Sequence, residues 1–283
     1  MRDSVPKPQW AEESSQKILA FYRQTQEANR LATNAKGQLE FVRTQEIITR
    51  YLPAPPAVIL DIGGGSGPYA CWLAKAGYEV HLIDPVDLHI EQAKEASSQQ
   101  PEHPIASISL GDARSLRFSS MSADAVLLLG PLYHLIDKTE RLLALREAYR
   151  VLRDGGVMIA AGISRFASML DSFFQDRFKN PVHRNIVQND LQTGYHRNLT
   201  EDLKDFTDAY LHRPEAFSSE VVEAGFQHQA TLAVEGPAWL FESFENYWAD
   251  PDLRSVVLDL IRKVEAEPSI LGMSAHILAV GTK

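Results

Sequence analysis

Residues 58–84, VILDIGGGSGPYACWLAKAGYEVHLID, constrain the fold more than any other stretch of this chain. A buried-type apolar run delivers a glycine cluster, a helix-length segment follows, and a second apolar run ends in an aspartate. Gly63, Gly65 and Gly67 permit positive φ and remove the Cβ atoms that would hold a ligand away from the backbone. Asp84 stands where a carboxylate accepts hydrogen bonds from ribose hydroxyls, close to the spacing of about 20 residues found in nucleoside-binding βαβ units. The stretch predicts a site for an adenosine-containing cofactor.

NAD and S-adenosylmethionine (SAM) both offer such a ribose, so the residues around the glycines must discriminate. A dinucleotide site wants G-x-G-x-x-G, with the third glycine inside the helix and the helix N-terminus aimed at a pyrophosphate. Here the pattern is G-x-G-x-G followed by Pro68. Asp61 precedes the glycines, where a carboxylate repels a pyrophosphate but can accept from the ammonium of a methionine moiety. SAM is favoured over NAD.

With these pieces in place, the sequence resembles the class I SAM-dependent methyltransferases. Asp61 to Gly67 matches the family's first motif and Asp84, followed by Pro85, its ribose-binding acid. Gly111-Asp112-Ala113 follows the apolar run 105–110, where the family places an acid near the adenine amino group. Residues 125–129 match strand four, and Leu129-Gly130-Pro131-Leu132-Tyr133-His134 the loop at its end. RVLRDGG, residues 150–156, matches the turn before strand five. The resemblance covers 56–162 well and the final strand weakly. It implies an α/β fold with a Rossmann-like, seven-stranded, mostly parallel sheet and helices on both faces, SAM as cofactor, and Asp61, Gly63, Gly65, Gly67, Asp84, Pro85, Gly111, Asp112, Ala113 and Leu129 around it.

Composition agrees. At 283 residues with 45% apolar side chains, the chain can build a substantial core. No apolar run is long enough to cross a bilayer and MRDSVPKPQW lacks a signal-peptide core, which points to a cytoplasmic protein without membrane attachment. The lone Cys71 excludes an internal disulfide and sits among packing residues. A formal charge of −9 argues against a nucleic-acid partner. No H-E-x-x-H, cysteine cluster or EF-hand loop marks a metal site. The loop after strand four lacks the Asn/Asp-Pro-Pro-Tyr/Phe pattern that relatives acting on nucleobase amines resemble one another in. A small-molecule acceptor is expected.

The pattern divides one domain, 1–283, into four stretches. Residues 1–55 read as a leader of two helices broken at Gly37, in which Tyr22, Arg30, Glu40 and Arg43 are candidate contacts. Residues 56–162 form the cofactor-binding core, with helices over 68–76, 87–97 and 138–152 and strand five over 157–161. Residues 163–213, polar, aromatic and rich in histidine, follow strand five as a lid or substrate platform. Phe166, Phe173, Phe174 and Phe178 within it read as packing residues. Residues 214–283 hold a helix over 214–224 closed by Gly225 and two strands, 231–234 and 274–280, separated by an aromatic insert, 239–265, that either caps the pocket or forms a homodimer contact.

The implied reaction displaces a methyl group from a sulfonium, so the protein's work is alignment and exclusion of water. A base is needed only for a nucleophile that arrives protonated. His134 is the first candidate, because its loop reaches the cleft and histidine titrates near neutrality. Tyr133, His196, Tyr210 and His212 follow as substrate or lid residues. An NAD(P)-dependent oxidoreductase and a non-catalytic SAM-binding protein are the alternatives.

Overall fold

The computed structural model describes residues 8–25, 27–200 and 202–283. MRDSVPK, part of the segment read above as lacking a signal-peptide core, and Glu201 of the lid stretch lie outside the described residues. Strands β1 (Val58–Ile62), β2 (Glu79–Asp84), β3 (Ser107–Leu110), β4 (Ala123–Leu128) and β5 (Leu152–Ser164) run parallel in the spatial order β3-β2-β1-β4-β5. Two short strands, β6 (Tyr195–His196) and β7 (Ala209–His212), belong to the lid stretch. The last two, β8 (Gln227–Ala233) and β9 (His276–Thr282), close the far edge, with β9 antiparallel to both β5 and β8.

The sheet therefore has nine strands rather than the expected seven. The cause lies in β5, which continues to Ser164 instead of ending at 161. Beyond the point where Leu128 of β4 pairs Ala160, Ile163 and Ser164 pair Leu211 and His212 of β7, while His276 of β9 occupies the other edge at Ile163. The lid is thus stitched into the sheet on the β4 side, directly above the carboxyl end of β4.

Helices α1 (Ala11–Tyr22), α2 (Arg30–Thr33) and α3 (Ala35–Tyr51) form the leader. The break falls at Asn34, not at Gly37: the Asn34 side chain caps α3 by accepting from the Gly37 N–H at 2.8 Å. Gly37 is needed for close approach, since a Cβ there would stand 2.4 Å from the Arg30 carbonyl oxygen. Helices α4 (Pro68–Lys75) and α5 (Asp87–Ser98) pack with α3 on one face of the sheet. A short helix α6 (Pro131–His134) follows β4, and α7 (Lys138–Val151) lies on the opposite face. Along β9, Leu278 and Val280 enter the first layer and Ile277 and Ala279 the second, the alternation of a strand buried on both sides.

The lid carries α8 (Ala167–Phe174) and α9 (Pro181–Thr193) before β6. After β7, α10 (Pro214–Glu223) ends at a left-handed Gly225. Helices α11 (Phe244–Ala249), α12 (Pro251–Val264) and α13 (Pro268–Leu271) form the insert between β8 and β9. Phe244, Trp248, Val257 and Ile261 of the insert bury Leu39 of α3, so this aromatic segment clamps the leader to the core.

Candidate active site

Loops leaving the carboxyl ends of β1, β2, β3 and β4 face a cavity of about 200 Å³, lined also by Ser15, Ile18 and Leu19 of α1. The β1–α4 loop turns through Gly63, Gly65 and Gly67 at φ of +71°, +58° and +88°. A Cβ on Gly63 would lie 2.8 Å from Pro131 Cδ, so glycine is what lets the loops after β1 and β4 meet. Gly65 donates its N–H to Asp84 Oδ2 at 2.9 Å, while Val86 N–H and His89 Nδ1 reach Oδ1 at 2.9 and 3.0 Å. A carboxylate offers about four lone-pair sites. Three are used, which leaves one for a donor in the cavity.

Gly63, Gly65, Asp84, Pro85, Gly111, Asp112 and Ala113 all line this cavity. Burial opposes the charge of Asp112, but Arg114, whose Nε lies 2.9 Å from Oδ1, outweighs it and holds the carboxyl below its usual range. Gly67 and Leu129 are absent from the lining, and so is Asp61. Asp61, 1% exposed, lies beneath the loop, where a Cβ on Gly64 would touch its Oδ2 at 2.7 Å. Burial, reinforced by the Asp84 carboxylate, pushes the Asp61 carboxyl up to about 7. The structure places this carboxyl beneath the loop, with both oxygens lacking a hydrogen-bond partner among the described residues, rather than in the wall of the cavity.

The residues fit an adenosyl cofactor on two observations: a glycine turn open to the cavity at Gly65, where an added Cβ would meet nothing within 4 Å, and the remaining acceptor capacity of Asp84.

A larger cavity, about 650 Å³, adjoins the first, because Tyr22 and Tyr133 line both. The lid supplies much of its wall, including Asp171, Arg177, His183, His196, Leu203 and Phe206, and the insert contributes Trp239. Phe166, Phe173, Phe174 and Phe178 are not among the lining residues; Phe173 and Phe178 meet edge to face with centroids 4.7 Å apart. Arg30 lines the larger cavity while pairing Glu40 at 2.5 and 2.9 Å. His196 also lines it, but its Nδ1 is held by buried Asp190 at 2.8 Å. Burial opposes the His196 charge, and Asp190 outweighs burial and raises its pKa.

His134 lines only the smaller cavity. Its Nε2 lies 2.7 Å from the Tyr22 hydroxyl and its Nδ1 3.4 Å from the Asp208 carbonyl oxygen. Burial pushes the imidazole down to about 4, so the ring is neutral at pH 7. A carbonyl can only accept, so Nδ1–H donates to Asp208 and Nε2 accepts from the Tyr22 O–H. His134 therefore lines the smaller cavity with Tyr22 standing at its basic nitrogen.

Arg43, Tyr210 and His212 line neither cavity. Arg43 is wholly buried on the inner side of α3, bonded to the Val234 carbonyl at 3.3 Å and to Glu46 and Glu265. The Tyr210 ring packs on the Arg141 guanidinium at 3.8 Å. Arg141 in turn holds Glu220 through two 2.8 Å bonds and donates to the Leu135 and Ile136 carbonyls at 2.9 Å, which fixes the chain just past His134. His212 shares Glu220 at 3.4 Å.

Glu40, Glu235 and His276 bring donor atoms within 4.8 Å of one another, and His276 of this group lines the larger cavity. Burial opposes the charge on His276, but Glu40 and Glu235 outweigh it and hold the imidazole up at about 9; Arg30 and His276 likewise overcome burial and pull Glu40 down to about 2. Two cations thus face two carboxylates, and the donors are committed to each other rather than to a metal. Ser15, Arg114 and Asp208 carry no signal in the sequence, whereas Trp239 belongs to the aromatic insert read there as a cap or a dimer contact.

Residues 60–160 match a family model described as a methyltransferase domain. The chain is 28% identical over 180 residues to a ubiquinone/menaquinone biosynthesis C-methyltransferase of Cereibacter sphaeroides, spanning 62% of this chain and 68% of that one. It is 30% identical over 174 residues to the enzyme of the same name from Paracoccus denitrificans, spanning 59% and 65%. A SAM-dependent methyltransferase from Methanosarcina mazei shares the fold with a TM-score of 0.56 at 18% identity, covering 84% of this chain and 96% of that one. One from Mesorhizobium loti also scores 0.56, at 14% identity over 87% and 100%. The motif order read from the sequence, the sheet that carries it, the methyltransferase-domain match over residues 60–160 and these relatives together support a class I SAM-dependent methyltransferase.

Proposed function

We propose that the smaller cavity holds SAM, that the larger one holds a small-molecule acceptor, and that all four stretches of the chain act as one domain. The observation that carries this reading is the pair of tyrosines, Tyr22 and Tyr133, lining both cavities, which puts cofactor and acceptor in reach of each other. When bound, the cofactor supplies a methyl group already activated on a sulfonium. Asp84 accepts from the ribose, Asp112 lies toward the adenine, and α1 covers the site against water. The lid aligns the acceptor. Leu203, Phe206, Leu211 and Trp239 favour an apolar ring in the larger cavity. The C-methyltransferase relatives make a ring carbon in a quinone-type precursor the first acceptor to test. The net charge of −9 supports a small molecule over a nucleic acid. Among the described residues no helix is long and apolar enough to cross a membrane. A homodimer, if formed, would use the exposed Leu253, Val256 and Leu260 of α12, and sedimentation of Val256→Glu against the unmodified protein tests that.

Calorimetric titration with SAM, S-adenosylhomocysteine and NAD(H) tests the cofactor assignment. Binding of the sulfur ligands alone is expected. Asp84→Ala should weaken SAM at least about tenfold, or 1.4 kcal/mol, with unchanged circular dichroism. Unaltered affinity would remove Asp84 from the ribose.

A further inference from the structure

We propose that the Tyr22 hydroxyl is the catalytic acid–base group of this enzyme and that His134 orients it and receives its proton. The proposal rests on the reading that the larger cavity holds the acceptor. Among the described residues only Tyr22 and Tyr133 line both cavities, and it is Tyr22 whose hydroxyl meets an imidazole nitrogen at 2.7 Å. The other ionisable groups facing the acceptor, among them Asp171, Asp205 and His276, do not reach the cofactor side. Asp205 is tied to Arg177 and His276 to Glu235.

The tautomer of His134 is set from outside the ring. Nδ1 faces the Asp208 carbonyl, and Asp208 is itself held through its carboxylate by Ser14 of α1 at 2.8 Å and by the Asn198 N–H at 3.0 Å. The same residue thereby secures the helix that carries Tyr22 and the proton arrangement of the histidine that Tyr22 addresses. With Nδ1 protonated, Nε2 can only accept, and the phenol proton points toward it. In the proposed step the Tyr22 oxygen takes a proton from an acceptor group.

The step balances. As the bond between the methyl carbon and the acceptor atom forms and the sulfur–carbon bond breaks, the acceptor's proton moves to the Tyr22 oxygen and the phenol's own proton moves to His134 Nε2. The thioether leaves neutral, so the charge of the sulfonium ends as the proton on imidazole, which passes to water after product departs. Burial that disfavours imidazolium speeds that last release. The relay suits acceptors that arrive protonated, such as phenols, and is superfluous for nucleophiles already ionised.

The test uses the full chain with histidine labelled in ¹⁵N and S-adenosylhomocysteine bound. His134 is expected as the neutral Nδ1–H tautomer from about pH 5.5 to 8. Tyr22→Phe should move its Nε2 resonance toward the value of a free acceptor nitrogen while S-adenosylhomocysteine affinity is retained. An Nε2–H tautomer, or an Nε2 resonance indifferent to Tyr22→Phe, overturns the relay. Kinetics with phenol and thiophenol as acceptor probes supply the second arm. Tyr22→Phe should lower kcat on phenol by about 10²–10⁴ and leave KM unchanged, while thiophenol, ionised at pH 8, is methylated at nearly the original rate. Equal losses on the two nucleophiles, or no loss on phenol, overturn it. Affinity and tautomer are read on the same samples, so a lost tautomer with intact affinity indicts the relay, whereas lost affinity in the unmodified protein indicts the cofactor cavity.

Discussion

Asp61 holds two carboxyl oxygens in the core that find no hydrogen-bond partner among the described residues. Burial first, and the neighbouring Asp84 second, raise its carboxyl to about 7 from an ordinary value of 3.8. A carboxyl whose folded-state pKa is raised contributes stability that is fully present below the unfolded value and is lost as pH rises through the folded one. Folding stability should therefore fall between about pH 4 and pH 7 from this residue alone. Asp61→Asn removes the titration while keeping the shape. Urea titrations are expected to show the variant gaining on the parent between pH 4 and pH 8, by up to about 4 kcal/mol. A difference that does not vary with pH would show that Asp61 is solvated or paired in solution.

At the scale of elements, the leader is held to the core by charge as well as by packing. Glu40 on α3, Glu235 after β8 and His276 on β9 join three parts of the chain that are remote in sequence. His276 is raised to about 9, so its contribution is complete below pH 6.5 and is lost as pH climbs through 9. Glu40, lowered to about 2, contributes above its unfolded value of 4.5 and is lost only in strong acid. His276→Gln leaves Glu235, 3% exposed, without its cation and should cost up to about 3 kcal/mol at pH 7. The cost should shrink above pH 9, where the parent histidine is itself neutral. Thermal melts of both proteins at pH 7 and pH 10 check this, and an equal cost at both values would assign the effect to packing.

For the whole molecule, the cofactor cavity lies where the leader, the sheet and the loops after four strands converge, with α1 forming one wall. A ligand there contacts elements that otherwise meet only through the core, so binding should stabilise the protein as a unit. At 100 times its dissociation constant, S-adenosylhomocysteine should add about 2.7 kcal/mol and raise Tm by roughly 5 °C, with no change from NAD(H). Differential scanning fluorimetry reads both, and a rise with NAD(H) alone would contradict the cofactor assignment.

The local grammar of this chain was legible without coordinates. Apolar runs alternating with helix-period segments, glycine turns and a terminal aspartate specify βαβ units, because strand burial, left-handed glycines and helix stops are decided within a few residues. The helix at Pro214–Glu223 with its stop at Gly225 follows from such signals. The count of nine strands did not, since β7 was recruited by an overhang of β5 that exists only once β4 has ended beside it. Nor did the surroundings of individual side chains. Tyr22 and His134 stand 112 residues apart, and His134 and Asp208 stand 74 apart. Arg43 and Tyr210, read as substrate contacts from their residue types, instead hold the core together. A residue's type sets which bonds it can make. Which partner it meets depends on long-range packing, and here that packing turned an apparent free base into the partner of a tyrosine.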